Sequence, residues 1–181
     1  MKELPPEMLP DMLGLVNESL SEEYPIEVLQ LLHQAWPRGQ LLMIAPDGEV
    51  MGFLLGSWVD REEARIMMFA IRPHYRSMGM GSMLMQNFLR RVGARGGKAV
   101  RLEVRPDNHR AIEFYQRWGF QVIGLVPEYY RDGGDGLLMR RLISGTSDPR
   151  YAGYVSSMEI SLSASRRRQT TVRACRIRNA P

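Results

Sequence analysis

Cysteine is almost absent from this chain of 181 residues: Cys175 is the single one. No internal disulfide can form, so a reducing compartment, the cytoplasm, is the expected setting. Histidine is nearly as scarce. His33, His74 and His109 are scattered, and with one thiol they do not make a dedicated zinc site, so no metal is expected. Long apolar runs are missing as well. None approaches the ~20 residues of a membrane span, and the opening MKELPPEMLPD is too acidic and too broken by proline for a signal peptide. No membrane partner is expected.

What is present is an ordinary globular composition, 44% hydrophobic and 24% charged, at a length that suits one domain with a real core. The net charge of +4 is unevenly placed. Residues 1–144 carry 17 Lys and Arg against 18 Asp and Glu, whereas residues 145–181 carry 7 against 2. The division suggests a folded domain over 1–144 and a basic Ser/Arg-rich tail over 145–181. The tail has no sustained apolar face and reads as a disordered or loosely docked appendage. Its Arg166, Arg167, Arg168, Arg173, Arg176 and Arg178 leave two readings open, a solvated tail or a contact with RNA or the ribosome.

Within residues 1–144 the hydrophobic period changes along the chain. Leu9, Leu13, Val16 and Leu20 recur at helical spacing, as do Val28, Leu29, Leu32, Ala35 and Trp36. QLLMIAP, VMGFLLGSWV and ARIMMFAIRP read as strands, the first two joined by a tight turn at DGE. Leu84, Met85, Phe88, Leu89 and Val92 mark a third helix. KAVRLEV is a strand, Ala111, Phe114, Tyr115 and Trp118 mark a short helix, and FQVIGLV and DGLLMRRLI close the set. The order ααβββαβαββ, with a very short strand at the N-terminus, predicts an α/β (α+β) architecture: a mixed sheet covered by helices on both faces. Methionines at 67, 68, 78, 80, 83 and 85 read as adaptable packing. Cys175, with no base in view, is not expected to act as a nucleophile.

IRPHYRSMGMGS, residues 71–82, joins a strand to a helix through two closely spaced glycines. Such a turn either makes a tight connection or holds an anion. The first N–H groups of a helix lack internal partners, and glycine lets a phosphate approach the backbone. Two phosphate motifs are excluded. A dinucleotide fingerprint requires a third glycine where Leu84 stands. A Walker loop ending in the later GGK requires glycine in place of Val92 and Ser or Thr in place of Ala99.

Arg76-Ser77-Met78-Gly79-Met80-Gly81 resembles the R/Q-x-x-G-x-G/A signature of the GNAT acyl-CoA N-acetyltransferases. A second segment, LEVRPDNHRAIEFYQRWGF, is similar to that family's N-x-x-A-x-x-x-Y…GF pattern through Asn108, Ala111, Tyr115, Gly119 and Phe120. VPEYYRDGGDGLLMRR and SLSEEYP resemble segments of the protein N-terminal acetyltransferases, both the ribosomal-protein alanine type and the NatA catalytic-subunit type. The likeness covers residues 1–144. One departure is Ser77, where many relatives carry a second basic residue, which removes a charge near the cofactor's diphosphate.

The resemblance implies a GNAT fold with a mostly antiparallel sheet, acetyl-CoA as cosubstrate, and direct attack of a free protein α-amine on the thioester in a ternary complex. A small-molecule amine or a lysine side chain is the alternative acceptor. The resemblance places the pantetheine along Phe69-Ala70-Ile71 and the diphosphate on Arg76, Ser77, Met78, Gly79, Met80, Gly81 and Ser82, with Asn108 also at the cofactor. Glu103 is the candidate base, and its residue-level alternative is a surface carboxylate paired with Arg101 and Arg105. Glu22 is a rival base. The resemblance makes Tyr115 the candidate acid, whereas its helical partners Ala111 and Trp118 by themselves favour core packing. Glu22, Tyr24, Tyr129 and Tyr130 are the candidate acceptor-binding residues.

Overall fold

The computed structural model describes residues 2–20 and 22–143. The tail beyond Ile143, including Cys175 and the arginines from Arg166 to Arg178, lies outside the described residues. The elements are β1 (Lys2–Glu3), α1 (Leu9–Ser19), α2 (Ile26–Ala35), β2 (Gln40–Ile44), β3 (Val50–Trp58), β4 (Glu63–Ile71), α3 (Met80–Ala94), β5 (Ala99–Val104), α4 (His109–Arg117), β6 (Gln121–Val126) and β7 (Gly136–Leu142). Short 3-10 turns at Pro6–Met8, Pro37–Gly39 and Pro73–Tyr75 each begin with proline, whose fixed φ suits a first helical position.

These strands form one sheet in the order β1-β2-β3-β4-β5-β7-β6. Every neighbouring pair is antiparallel except β4 and β5. Helices cover both faces, as the sequence predicts. Leu84, Met85, Phe88 and Val92 of α3 pack with Leu41, Leu54 and Leu102 on one face. Met12, Leu15 and Val16 of α1 and Leu29 and Leu32 of α2 pack with Leu42, Phe53 and Leu55 on the other.

Two features depart from simple periodicity. Trp36 does not continue α2. It leaves the helix at φ −157°, ψ 79°, and joins the opposite core, its ring 5.1 Å from Trp58 and 5.5 Å from Phe88. The second feature lies in β4, where Leu55 pairs with Met68 and Gly56 with Ile66, leaving Met67 as an extra residue. A bulge reverses the alternation beyond it. Ala64 and Ile66 face the α3 side, but after Met67 it is Phe69 and Ile71 that do so. The bulge therefore turns the end of β4 toward α3 and α4.

Candidate active site

The β4–β5 pairing holds the site open. It runs only from Glu63↔Ala99 to Arg65↔Arg101, although β4 continues to Ile71 and β5 to Val104. Beyond Arg65 the two strands part, and the edge of β4 that faces β5 has no strand beside it. Backbone N–H and C=O groups there require a partner, and an extended ligand segment can supply one in the manner of an added strand. Phe69, Ala70 and Ile71 border the opening.

A cleft of about 590 Å³ continues from this opening to the start of α3. Phe69, Ala70, Ile71, Arg76, Ser77, Gly79, Met80, Gly81, Ser82, Asn108 and Tyr115 all line it, as the motif reading places them. Met78 does not; its side chain points to solvent, 63% exposed. Gly79 is the N-cap of α3 at φ 80°, a conformation that glycine adopts without cost, and no side chain caps the helix. The free first-turn amides of this 15-residue helix therefore face the cleft. A Cβ at Gly81 would meet Phe69 and Phe114 only at an ordinary 3.5 Å, so protein packing leaves room for a larger residue there. The space belongs to the cleft.

The cations in the cleft differ from expectation. Arg76 donates through Nε to the Ile71 carbonyl at 2.9 Å. Ser77 does not leave its end of the loop without charge, because Arg110 of α4 reaches its Oγ at 3.3 Å. Arg117 lines the same wall. Among the described residues, no Asp or Glu lines the cleft. Sequence reasoning named neither Arg110 nor Arg117. Their signal was available, since Arg110, Phe114 and Arg117 fall on one helical stripe with the named Ala111.

Tyr115 sits where the cleft meets the core. Its ring packs at 6.4 Å from Phe69, 5.6 Å from Phe114 and 5.8 Å from Phe120. Burial, with the Tyr130 hydroxyl nearby, raises its pKa well above the usual tyrosine value. The hydroxyl stays protonated at neutral pH and is fit to donate. Tyr115 is a core residue whose edge reaches the cleft. Asn108 caps α4, its Oδ1 accepting from the Ala111 N–H at 3.2 Å, and it lines the cleft as well.

Glu103 lies on the opposite face of β5 from Val100, Leu102 and Val104, which belong to the core beside α3. Its ion pair is made across the sheet rather than along its own strand. Arg65 of β4 is the partner, with Nε 2.7 Å from Oε2, and the Glu103 side chain is only 8% exposed. Two facts explain the difference. The parallel register sets Arg65 beside Arg101 at the end of the β4–β5 pairing, so Arg65 reaches the next outward residue of β5. Arg105 is drawn away to Asp132 at 3.0 Å and to the Tyr130 ring at 3.9 Å.

Arg65 also donates to the Tyr129 hydroxyl. Burial comes first in raising Tyr24, Tyr129 and Tyr130, with Glu22 adding at Tyr24 and Glu103 at Tyr129. Tyr129 and Tyr130 meet edge to face at 4.8 Å. Tyr129 and Tyr130 thus lie near Glu103, and Tyr24 lies near both tyrosines. Glu22 is not a freely solvated carboxylate: its Oε1 accepts from the Arg131 backbone N–H at 2.7 Å, linking the α1–α2 loop to the β6–β7 loop. Asn17 steadies the same loop, its Oδ1 accepting from the Tyr24 N–H at 2.9 Å. Among the described residues, no group of three or more His, Cys, Asp or Glu is placed to hold a metal ion.

The sheet opens between two parallel strands, above a helix N-terminus without a side-chain cap and beside a cationic cleft, an arrangement suited to an extended anionic ligand. Residues 9–120 match the model of the acetyltransferase (GNAT) family, and the chain belongs to that family. It is an acetyl-CoA-dependent N-acetyltransferase. Among its relatives is the putative [ribosomal protein bS18]-alanine N-acetyltransferase of Bacillus subtilis, 32% identical over 103 residues, 57% of this chain and 68% of that protein. N-alpha-acetyltransferase 30 of Schizosaccharomyces pombe is 30% identical over 130 residues, 70% of this chain and 87% of the other. The crystal structure of Ard1 from Thermoplasma volcanium superimposes with a TM-score of 0.75 at 36% identity, covering 80% of this chain and 97% of that one.

Proposed function

We propose that this enzyme acetylates the α-amine of protein N-termini by direct attack on acetyl-CoA in a ternary complex. The observation that carries the proposal is the placement of the two candidate groups. Glu103 and Tyr115 belong to opposite faces of the sheet at the point where β4 and β5 part. Two substrates can approach from opposite sides and meet in the gap, with no covalent enzyme intermediate.

On the acceptor side, Glu103 accepts a proton from the ammonium, directly or through a water. An α-amine near pKa ~8 requires only a modest base. On the cosubstrate side, the Tyr115 hydroxyl donates to the departing thiolate. A backbone N–H at the open edge of β4 stabilises the oxyanion, a contribution of roughly 3 kcal/mol where such donors have been deleted. The aromatic walls at Tyr24, Tyr129 and Tyr130, and the bond from Arg131 N–H to Glu22 that ties two loops together, suit a peptide held along its backbone. The names of the Bacillus and Schizosaccharomyces relatives agree with an N-terminal acceptor.

The test is acetyl transfer to paired peptides with free and blocked N-termini. Transfer is expected only to the free α-amine. Transfer to blocked peptides through lysine, or to small amines alone, would overturn the proposal.

A further inference from the structure

Among the described residues, the cosubstrate cleft carries three arginines and no carboxylate, and the arginines come from different elements. Arg76 belongs to the loop, and Arg110 and Arg117 to α4. Among the described residues none of the three has a carboxylate within ion-pair distance. Uncompensated cations facing one cleft create a field that favours an anion. The loop motif contains a single arginine, and its next residue, Ser77, is short and neutral.

Arg110 stands where that charge is lacking. Asn108 caps α4 and fixes its first turn, so Arg110 projects from a defined backbone toward the loop. The backbone at Ser77 is left-handed, φ 65°, a region that side chains seldom take. In this conformation Ser77 Oγ accepts from Arg110 Nη2 at 3.3 Å. That neutral bond uses one of the five donors of a guanidinium and leaves its charge unmatched.

We infer that Arg110 is a cosubstrate-binding residue: α4 supplies the diphosphate of CoA with the cation that the loop omits at Ser77, and Ser77 holds that guanidinium over the loop. The inference rests on acetyl-CoA as cosubstrate and is independent of the acceptor. A cation on a capped helix is better ordered than a second long side chain on the loop, so less side-chain entropy is lost when the ligand binds.

The experiment is calorimetric titration of CoA and of dephospho-CoA, which keeps the diphosphate but lacks the 3′-phosphate. Arg110 is solvent-exposed, so its truncation leaves the core untouched. Arg110→Ala is expected to weaken both ligands about tenfold, the scale of one charge-assisted hydrogen bond. The loss should shrink as salt is added. Adding Ser77→Lys to Arg110→Ala should recover most of the affinity, because it returns the charge to the loop. Arg90→Ala, with the same net charge but its alteration outside the cleft, should bind as wild type. Unchanged affinity in Arg110→Ala overturns the inference. A loss on CoA that spares dephospho-CoA also overturns it, by moving Arg110 to the 3′-phosphate. Failure of Ser77→Lys to recover binding overturns the exchange of charge between loop and helix.

Discussion

Glu103 accepts a hydrogen bond from Arg65 Nε at 2.7 Å, joining β5 to β4 just beyond the last pair of their shared ladder. The carboxylate is therefore held at the mouth of the gap between the strands, nearly out of solvent, rather than swinging free on the surface. A largely buried charge pair of this kind positions its members more than it stabilises the fold.

Glu103→Gln should lower kcat by about a hundredfold, the usual scale for a lost general base, while the Kd for acetyl-CoA stays within about twofold. Arg65→Met should lower kcat less. In the Glu103→Gln background it should do almost nothing more, because the two residues act as one unit. Steady-state kinetics on the four proteins measures this coupling. Independent, multiplying losses would show that Arg65 does not act through Glu103.

Glu22 presents a rivalry that a conservative change can decide. Glutamine retains a carbonyl oxygen able to accept from the Arg131 N–H, whereas alanine does not. If Glu22 ties the two loops together, Glu22→Gln keeps most of the activity and Glu22→Ala raises the KM for peptide roughly tenfold, the cost of about one hydrogen bond. If Glu22 is the base, both variants lose kcat alike. The first result is expected, because its contact is structural.

The two glycines of the opening turn should separate stability from binding. Gly79 has a φ of 80°, so Gly79→Ala should cost about 1 kcal/mol of stability. Gly81 is helical and its absent Cβ would touch nothing closer than 3.5 Å, so Gly81→Ala should leave Tm at or above that of wild type. Gly81→Val, which puts methyl groups into the cleft, should weaken acetyl-CoA at least about tenfold. Thermal unfolding and titration on the same samples separate the two effects.

Alkaline stability should reflect the buried tyrosines. Tyr115 titrates above 10 in the folded protein because burial disfavours the phenolate, while the unfolded chain releases that proton near 10. Between those values the unfolded state binds fewer protons, so stability is complete below pH 10 and falls as pH rises above it. Tyr129, pushed up to about 12, keeps 38% of its surface exposed and contributes less. Urea unfolding at pH 8, 10 and 11 should show the fall, and Tyr115→Phe should flatten it. A slope unchanged by that substitution would place the Tyr115 hydroxyl in contact with water.

Much of this was written in the chain as local pattern. Period-2 alternation in KAVRLEV separates Glu103 from the core face, and the spacing of Leu84, Met85, Phe88 and Leu89 gives α3 its buried side. Asn108 caps the helix that its residue type favours. The glycine turn and the N-x-x-A-x-x-x-Y segment were legible through their resemblance to family motifs, which a few consecutive residues are enough to carry.

Tertiary structure decided what depends on residues distant in sequence. The bulge at Met67 turns Phe69 and Ile71 to the α3 side, and a one-residue insertion is invisible in a run of apolar residues. Trp36 abandons its helix for a core on the far side of the sheet, since burying an indole outweighs one more helical turn. Glu103 pairs with Arg65, 38 positions away, and Arg110 fills the place left by Ser77, 33 positions away. Charge acts through space, so the sequence determined which ions exist and only the fold decided which of them meet.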